Sequence, residues 1–342
     1  MRFNRLVSGV RPPGGDADVP AFCQALGVPG LADVHVHFLP PRLLRRVWEY
    51  FDAAGPLVGT TWPIRYRWPD GQRVAHLRAL GVRAFSALAY AHRPGMAADL
   101  NAWTLEFARA TPGCLPSATF YPEPGVMDYV RAALDGGARV FKVHLQVGGF
   151  PAGDPRLRPV WGLLAEAGVP VVVHAGHAPV ATAHTGPEQF AALLSEHRRL
   201  TAIVAHLGAP DYEPFLDLAE TYERMALDTT MAFTPFFERL TPFPARGAAA
   251  PAGARPGREG AAGQRFPEHP LPLRRADRRP GAAGLGRAVA ARGLLGERGA
   301  HVRAQRGKRI DGSEILQTAA ESPCPRRGQA RCSRRPVTKA SP

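Results

Sequence analysis

The segment Leu31-Ala-Asp-Val-His-Val-His-Phe38 carries two imidazoles two residues apart. Side chains of a strand alternate between faces, so Asp33, His35 and His37 would share one face and Val34, Val36 and Phe38 the other. Two imidazoles at that spacing near a strand end can converge on one divalent ion. Val171-Val-Val-His174 and Ala202-Ile-Val-Ala-His206 each end an apolar run on a histidine, and Val140-Phe-Lys-Val-His144 places Lys142 and His144 on one face. A lysine inside a strand is costly to bury without a charged partner or a metal. Lys142 therefore reads as a grip for a substrate carboxylate, as a modified ligand, or as an ion-pair partner of Asp33 or Asp228. Asp228 ends the run Met225–Thr229 and either lines the same mouth or is structural. His177 and His184 fall in the loop after His174 and are expected to face solvent, with a lining role open for His177. His76, His92 and His197 fall on helix or loop surfaces. Trp62, Trp68, Trp103 and Trp161 read as core or pocket wall.

Such residues do chemistry only if distant segments meet. Seven short apolar runs, Ala32–His37, Val82–Tyr90, Leu115–Tyr121, Arg139–Leu145, Val169–His174, Thr201–His206 and Met225–Thr229, have the length and composition of buried strands. Amphipathic stretches separate them: Pro41–Ala53, Ala97–Ala110, Gly125–Leu134, Val160–Ala167, Pro187–Glu196 and Asp211–Tyr222. Strand and helix in alternation imply parallel strands with crossover helices. The expected fold is α/β, a TIM-type (β/α) barrel lacking its eighth strand. In such a barrel the strand C-terminal ends share one mouth. A doubly wound sheet is the alternative, and the absence of a Gly-rich dinucleotide fingerprint after the first strand counts against it.

Taken together, the D-x-H-x-H, F-K-V-H, V-V-H-A-G and A-H-L-G-A segments resemble the amidohydrolase-related family over roughly residues 30–235. That family includes metal-dependent hydrolases of small cyclic or amide substrates and non-oxidative decarboxylases. The resemblance implies His35, His37 and His174 as metal ligands, His206 beside the metal in proton transfer, and a divalent ion, zinc by preference. Asp228 is a further catalytic candidate, and Lys142 and His144 are candidates for substrate binding. The family closes its site with an aspartate after the eighth strand, often as Gly-Ser-Asp-Phe-Pro, and this sequence has no such motif.

Composition bounds the alternatives. The chain has 342 residues, enough for one barrel-sized domain, and no run of about 18 apolar residues that would span a membrane. Its first residues lack the apolar run of a signal peptide, so a cytoplasmic protein is expected. Cys23, Cys114, Cys324 and Cys332 have no metal-site spacing and read as free thiols. The net charge of +14 comes from the end of the chain: residues 244–342 hold 21 Lys+Arg and 7 Asp+Glu, leaving 22 of each sign before them. Residues 1–243 are thus expected to form the incomplete barrel. Residues 244–342, rich in Gly, Pro and Arg, are expected to form a disordered basic tail. A non-enzymatic protein whose tail binds nucleic acid is the rival from another class. Phe266 is the tail's only aromatic residue, which argues against base stacking, and no nucleic-acid partner is expected. The expected partner is a small-molecule substrate, and homo-oligomerisation stays open.

The missing aspartate has a candidate origin. Read one base later, codons compatible with Gly263-Gln-Arg-Phe-Pro-Glu-His-Pro270 can encode Gly-Ser-Asp-Phe-Pro-Asn-Ile-Pro. The same shift can turn Glu259-Gly-Ala-Ala into Lys-Val-Leu-Leu, a plausible eighth strand. A one-base shift near residues 243–256 would put Arg265 where the family has its aspartate. A natural disordered tail is the alternative.

Overall fold

A computed structural model of the chain describes residue 10 and residues 13–244. The strands are β1 (Leu31–Asp33), β2 (Val82–Ser86), β3 (Cys114–Leu115), β4 (Ser117–Thr119), β5 (Val140–His144), β6 (Val171–His174), β7 (Ala202–Val204) and β8 (Met225–Leu227). The helices are α1 (Val19–Ala25), α2 (Pro41–Ala53), α3 (Gly55–Val58), α4 (Asp70–Ala79), α5 (Ala97–Ala110), α6 (Val126–Asp135), α7 (Leu145–Gly148), α8 (Arg158–Ala167), α9 (Pro187–Glu196), α10 (Tyr212–Thr221) and α11 (Phe237–Leu240). Every pairing is parallel, in the orders β1-β2-β3 and β4-β5-β6-β7-β8. This is the TIM-type α/β arrangement the alternation predicts.

All seven expected strand positions are present, and the third is split. Pro116 separates β3 from β4 because it has no N–H for the ladder, while its carbonyl accepts the Arg139 amide at 2.8 Å. Among the described residues no strand pairs with the outer edge of β1 or of β8. The proposed eighth strand, Arg265, the tail, Cys324 and Cys332 all lie outside the described residues. Cys23 and Cys114 are free thiols.

The strands are apolar on both faces, as parallel strands covered on both sides must be. Phe141, Val143, Val171, Val173, Ala202, Val204, Met225 and Leu227 face outward into the main core with the helices. Val140, Val172 and Ile203, with Leu88, form a separate inner layer. Helix α8 shows how a helix is fitted to this frame. Proline opens it, Gly168 at φ 65° ends it, and Val160, Trp161, Leu164 and Ala165 are buried. Trp161 is satisfied as well as buried, since its Nε1–H donates to the Ala152 carbonyl at 2.8 Å. Trp103 and Trp68 pack on other aromatic rings, Phe107 and Tyr66 respectively.

Candidate metal centre

The inner face of the strands continues upward into histidine. Val140, Lys142 and His144 follow one another on β5, and the β5–β6 register sets His144 opposite His174. Their rings stack at 3.9 Å between centroids and 12° from parallel. His35 and His37 arrive differently from the expected continuous strand, because β1 ends at Asp33. Beyond it, side chains supplement the ladder, which keeps a backbone bond from the Leu88 amide to the Val36 carbonyl at 2.7 Å. Asp33 Oδ1 accepts the His35 amide at 3.0 Å, and Ser86 Oγ accepts the Val36 amide at 3.1 Å and donates to the Val34 carbonyl at 2.8 Å. Strict alternation fails there: Val36 and Phe38 join the outer core, whereas Val34 packs on the inner layer. Arg73 from α4 then fixes the strand's exit. It is buried, donates to the His37 carbonyl and lies 4.4 Å from the Phe38 ring centroid.

His206 sits at φ 56° and Leu207 at φ 56°, a left-handed conformation that non-glycine residues rarely adopt. Such strain costs about 1–3 kcal/mol per residue and needs local support. Asp228 supplies it: Oδ1 accepts the His206 amide at 3.0 Å and the Asp228 carbonyl accepts the Leu207 amide at 2.8 Å. Thr230 also donates its amide to Oδ1, at 3.1 Å, and Oδ2 accepts from His35 Nδ1 at 2.7 Å. The Asp228 carboxylate is thus engaged by three N–H groups and its carbonyl by a fourth.

The partners of each ring nitrogen fix where its hydrogen sits, because a carbonyl or carboxylate oxygen only accepts. His37 Nδ1–H donates to the Leu88 carbonyl at 2.9 Å, His174 Nε2–H to Ala178 at 2.8 Å and His206 Nδ1–H to Thr230 at 2.7 Å. The opposite nitrogen of each, and Nε2 of His35, therefore carries a lone pair. Burial, the leading cause, pushes His37 and His174 well below the usual imidazole range and lowers His206 too, so these rings are neutral. His144 is also pushed well down by burial, but its hydrogen sits the other way: Nδ1 accepts the Val147 amide at 3.3 Å, leaving Nε2–H as a donor.

These rings form a closed circuit around the barrel mouth. His35 neighbours His37 at 5.1 Å and His206 at 5.2 Å, and His206 neighbours His174 at 5.2 Å. Tyr90 completes the circle, 5.8 Å from His37 and 4.9 Å from His144. Lys142 is fully buried beneath it, with Nζ 3.2 Å from His35 Nε2. Burial brings its ammonium down to about 7, against the opposing attraction of Asp228.

The structure brings all seven candidate residues, His35, His37, Lys142, His144, His174, His206 and Asp228, into this one buried assembly. The donor set suits a divalent ion. His35, His206 and Asp228 offer ligand atoms all within 4.8 Å of one another, and the buried His174 Nδ1 has no hydrogen-bond partner. The compact triad differs from the set His35, His37 and His174 expected from the resemblance. His177 is not the open solvent residue expected. It is half-buried, and its Nδ1 lies 2.7 Å from Asp211 Oδ2. His184 is half-buried as well, and His76 lies beside Asp16 at 3.3 Å.

Sequence reasoning missed Tyr90, Met231 and Phe237 as site residues and left Trp62 as core or wall. Tyr90 had a usable signal, since it stands two residues after Leu88 of the inner layer. Trp62, Met231 and Phe237, with Ala178, Pro179, His144, His174 and His206, enclose a cavity of about 20 Å³, room for about one water. A wider groove of about 1000 Å³ lies by the strand starts, along Gly30, Val82 and Gly113. It has no histidine, whereas His144, His174 and His206 line the small cavity.

Residues 32–259 match the amidohydrolase family model. The chain belongs to this amidohydrolase family. The match stops short of Arg265. No curated protein matches the amidohydrolase. Among solved structures it is similar to an uncharacterized TIM-barrel protein from Bordetella bronchiseptica, with 18% identity over 60% of this chain and 77% of that one and a TM-score of 0.48. It is also similar to the L-hydantoinase (dihydropyrimidinase) from Arthrobacter aurescens, with 17% identity over 60% of this chain and 48% of that one and a TM-score of 0.38. An amidohydrolase from Mycobacterium avium subsp. paratuberculosis K-10 shares 14% identity over 51% of this chain and 62% of its own, with a TM-score of 0.31. The chain thus spans less than two thirds of the last two proteins. Among the described residues no helix of this amidohydrolase is long and apolar enough to cross a membrane.

Proposed function

We propose that this amidohydrolase is a metal-dependent hydrolase of a small amide, ester or lactone, with zinc as its metal. The observation that carries the proposal is the convergence of four buried imidazoles, His35, His37, His174 and His206, each with one ring nitrogen turned to an oxygen acceptor, in one cluster with Asp228. Metal-binding histidines are oriented in this way by carbonyl or carboxylate acceptors. His35, His37 and His174 would hold the ion, and nitrogen donors of this kind suit zinc. When bound, the ion would supply Lewis acidity, polarising a substrate carbonyl and acidifying water.

The chain's own residues would manage protons and orientation. His206 starts neutral, with its Nε2 lone pair available to take a proton from the attacking water. The Thr230 carbonyl holds the ring in that tautomer. His144 presents Nε2–H to the oxygen that gains charge as the carbonyl is attacked. Asp228 would act through others, orienting His35 by its carboxylate and holding His206 by the backbone. Trp62, Met231 and Phe237 would exclude bulk water.

A second reading, non-oxidative decarboxylation of a small carboxylic acid, draws on Lys142. A buried cation beside His35 could hold a substrate carboxylate. The test is product analysis on the purified chain, loaded with zinc and with its metal content measured. Ring opening of lactams or lactones supports the hydrolase, released CO₂ the decarboxylase. A chain that binds no metal at any of these histidines sinks both. We further propose that the chain as written is poorly stable and weakly active or inactive, because its sequence lacks the Gly-Ser-Asp-Phe-Pro motif that carries the closing aspartate of the family. Soluble expression with stoichiometric metal and normal turnover would refute that.

A further inference from the structure

The wide groove at the strand starts lies at the end of the barrel away from the histidines. Its volume of about 1000 Å³ is large enough for an organic ligand. Its apolar lining comes from Pro20, Cys23, Val28, Pro29, Val82 and Pro112. Val28 is the large hydrophobic side chain left exposed among the described residues, at 37%. The charged lining is Arg78 and Arg83, with no acidic residue among the described residues that line the groove. Residues 1–243 balance their charges, so this positive patch is a local excess.

Both guanidiniums keep donors for a ligand. Arg78 Nη2–H donates to the Pro112 carbonyl at 3.0 Å, which steadies the side chain, and a guanidinium has several further N–H groups to offer. The Arg83 side chain makes no hydrogen bond or ion pair among the described residues. Its stem lies against Gly30, where a Cβ would stand 2.6 Å from Arg83 Cδ and Nε. A side chain at position 30 would turn Arg83 aside, so the glycine lets the arginine lie along the groove.

The remainder of the chain does not suit this groove. Residues 244–342 hold 21 Lys+Arg against 7 Asp+Glu, and residues 1–9 hold Arg2 and Arg5 and no acid. Like charge sets both segments against a pair of arginines. A planar guanidinium matches a carboxylate, and the apolar lining calls for a ligand with an apolar body.

We propose that the groove binds a small amphiphile with a carboxylate head and an apolar chain, the head held by Arg78 and Arg83 and the chain laid along Val28, Pro29 and Val82. The site is separate from the candidate metal centre and needs no metal, so it stands or falls independently of the hydrolase reading.

The experiment is equilibrium binding of octanoate to the purified full chain, beside octan-1-ol, which keeps the chain without the charge, and acetate, which keeps the charge without the chain. Octanoate is expected to bind saturably and at least about tenfold more tightly than either, the factor one hydrogen bond to a charged group supplies. The double variant Arg78→Met with Arg83→Met should lose that advantage and leave octan-1-ol unchanged, with its thermal unfolding checking that the fold is kept. Cys23 gives a reading that needs no variant. It is half-buried in the groove, so saturating octanoate should slow its alkylation by iodoacetamide, followed by the mass of the Cys23 peptide. Octanoate that binds no more tightly than octan-1-ol overturns the site. So does an unchanged alkylation rate at Cys23 under saturating octanoate, or a folded double variant with wild-type affinity for octanoate.

Discussion

The imidazoles of His144 and His174 stack 3.9 Å apart yet hold their hydrogens in opposite senses. His174 Nδ1 offers a lone pair, whereas His144 Nδ1 already accepts the Val147 amide. Two residues of one type, paired in register on adjacent strands, are thereby given different work. His144→Phe should preserve the stack and the metal while removing the Nε2–H donor. We expect kcat to fall roughly 10²–10³-fold with unchanged metal stoichiometry. His174→Phe should instead lose metal. Elemental analysis beside turnover checks the division, and equal metal loss in both variants would defeat it.

Acid should destabilise the metal-free protein. His37, His144 and His174 are all held well below the ordinary value of 6.5, burial being the leading cause. Above about pH 6.5 the folded and unfolded chains both keep these rings neutral, and stability is fully present. Below it the unfolded chain binds protons that the folded chain refuses, so stability falls until the depressed folded values are reached. Each ring contributes up to about 1.4 kcal/mol per pH unit. Urea midpoints of the chelator-treated chain at pH 7 and pH 5 test this, and a flat profile would contradict it.

Arg73 ties α4 to the first metal strand through the His37 carbonyl and the Phe38 ring. Arg73→Met should remove that charged hydrogen bond and lower stability by about 1.5–3 kcal/mol. It should also weaken metal affinity, because His37 is released with its carbonyl. Denaturant midpoints and competitive chelation measure the two effects. A variant that loses stability at full metal affinity would confine Arg73 to packing.

Gly176 lets two mouth loops meet. A Cβ there would stand 2.4 Å from the Ala209 carbonyl oxygen and 2.5 Å from Gly208, both backbone. Gly176→Ala should force the β6 and β7 loops apart, costing about 1–3 kcal/mol and lowering activity through His174 and His206. Thermal unfolding and turnover of this variant decide it. Unchanged values would show that the loops yield freely.

The nucleotide sequence across codons 240–305 tests the frame-shift proposal directly. A shifted frame encoding Gly-Ser-Asp-Phe-Pro makes the parent a complete metal enzyme. Stops or unrelated residues make the tail genuine.

Much of the site was legible because strand chemistry is local. Apolar runs ending at His174 and His206, and Lys142 two residues before His144, reveal a shared inner face from spacing alone. What escaped depends on distance or on backbone detail. Asp228 and His35 are 193 positions apart, and nothing in either residue announces their bond. The left-handed turn at His206 and Leu207 is imposed by Asp228 against the preference of both residues, so composition could not give it. Past the end of β1, likewise, the His35 and Val36 amides turn to carboxylate and hydroxyl side chains in place of strand partners.

The two carbonyls flanking Pro179 have an evolutionary corollary. One accepts from His174, a metal-ligand candidate, and the other from the amide of Gln146, so a single loop holds both. A change in that loop that suited a new substrate would disturb the His174 tautomer at the same stroke. Lineages altering what they bind would therefore vary Trp62, Met231 or Phe237 first, and keep the stretch from Ala178 to Val180 almost fixed.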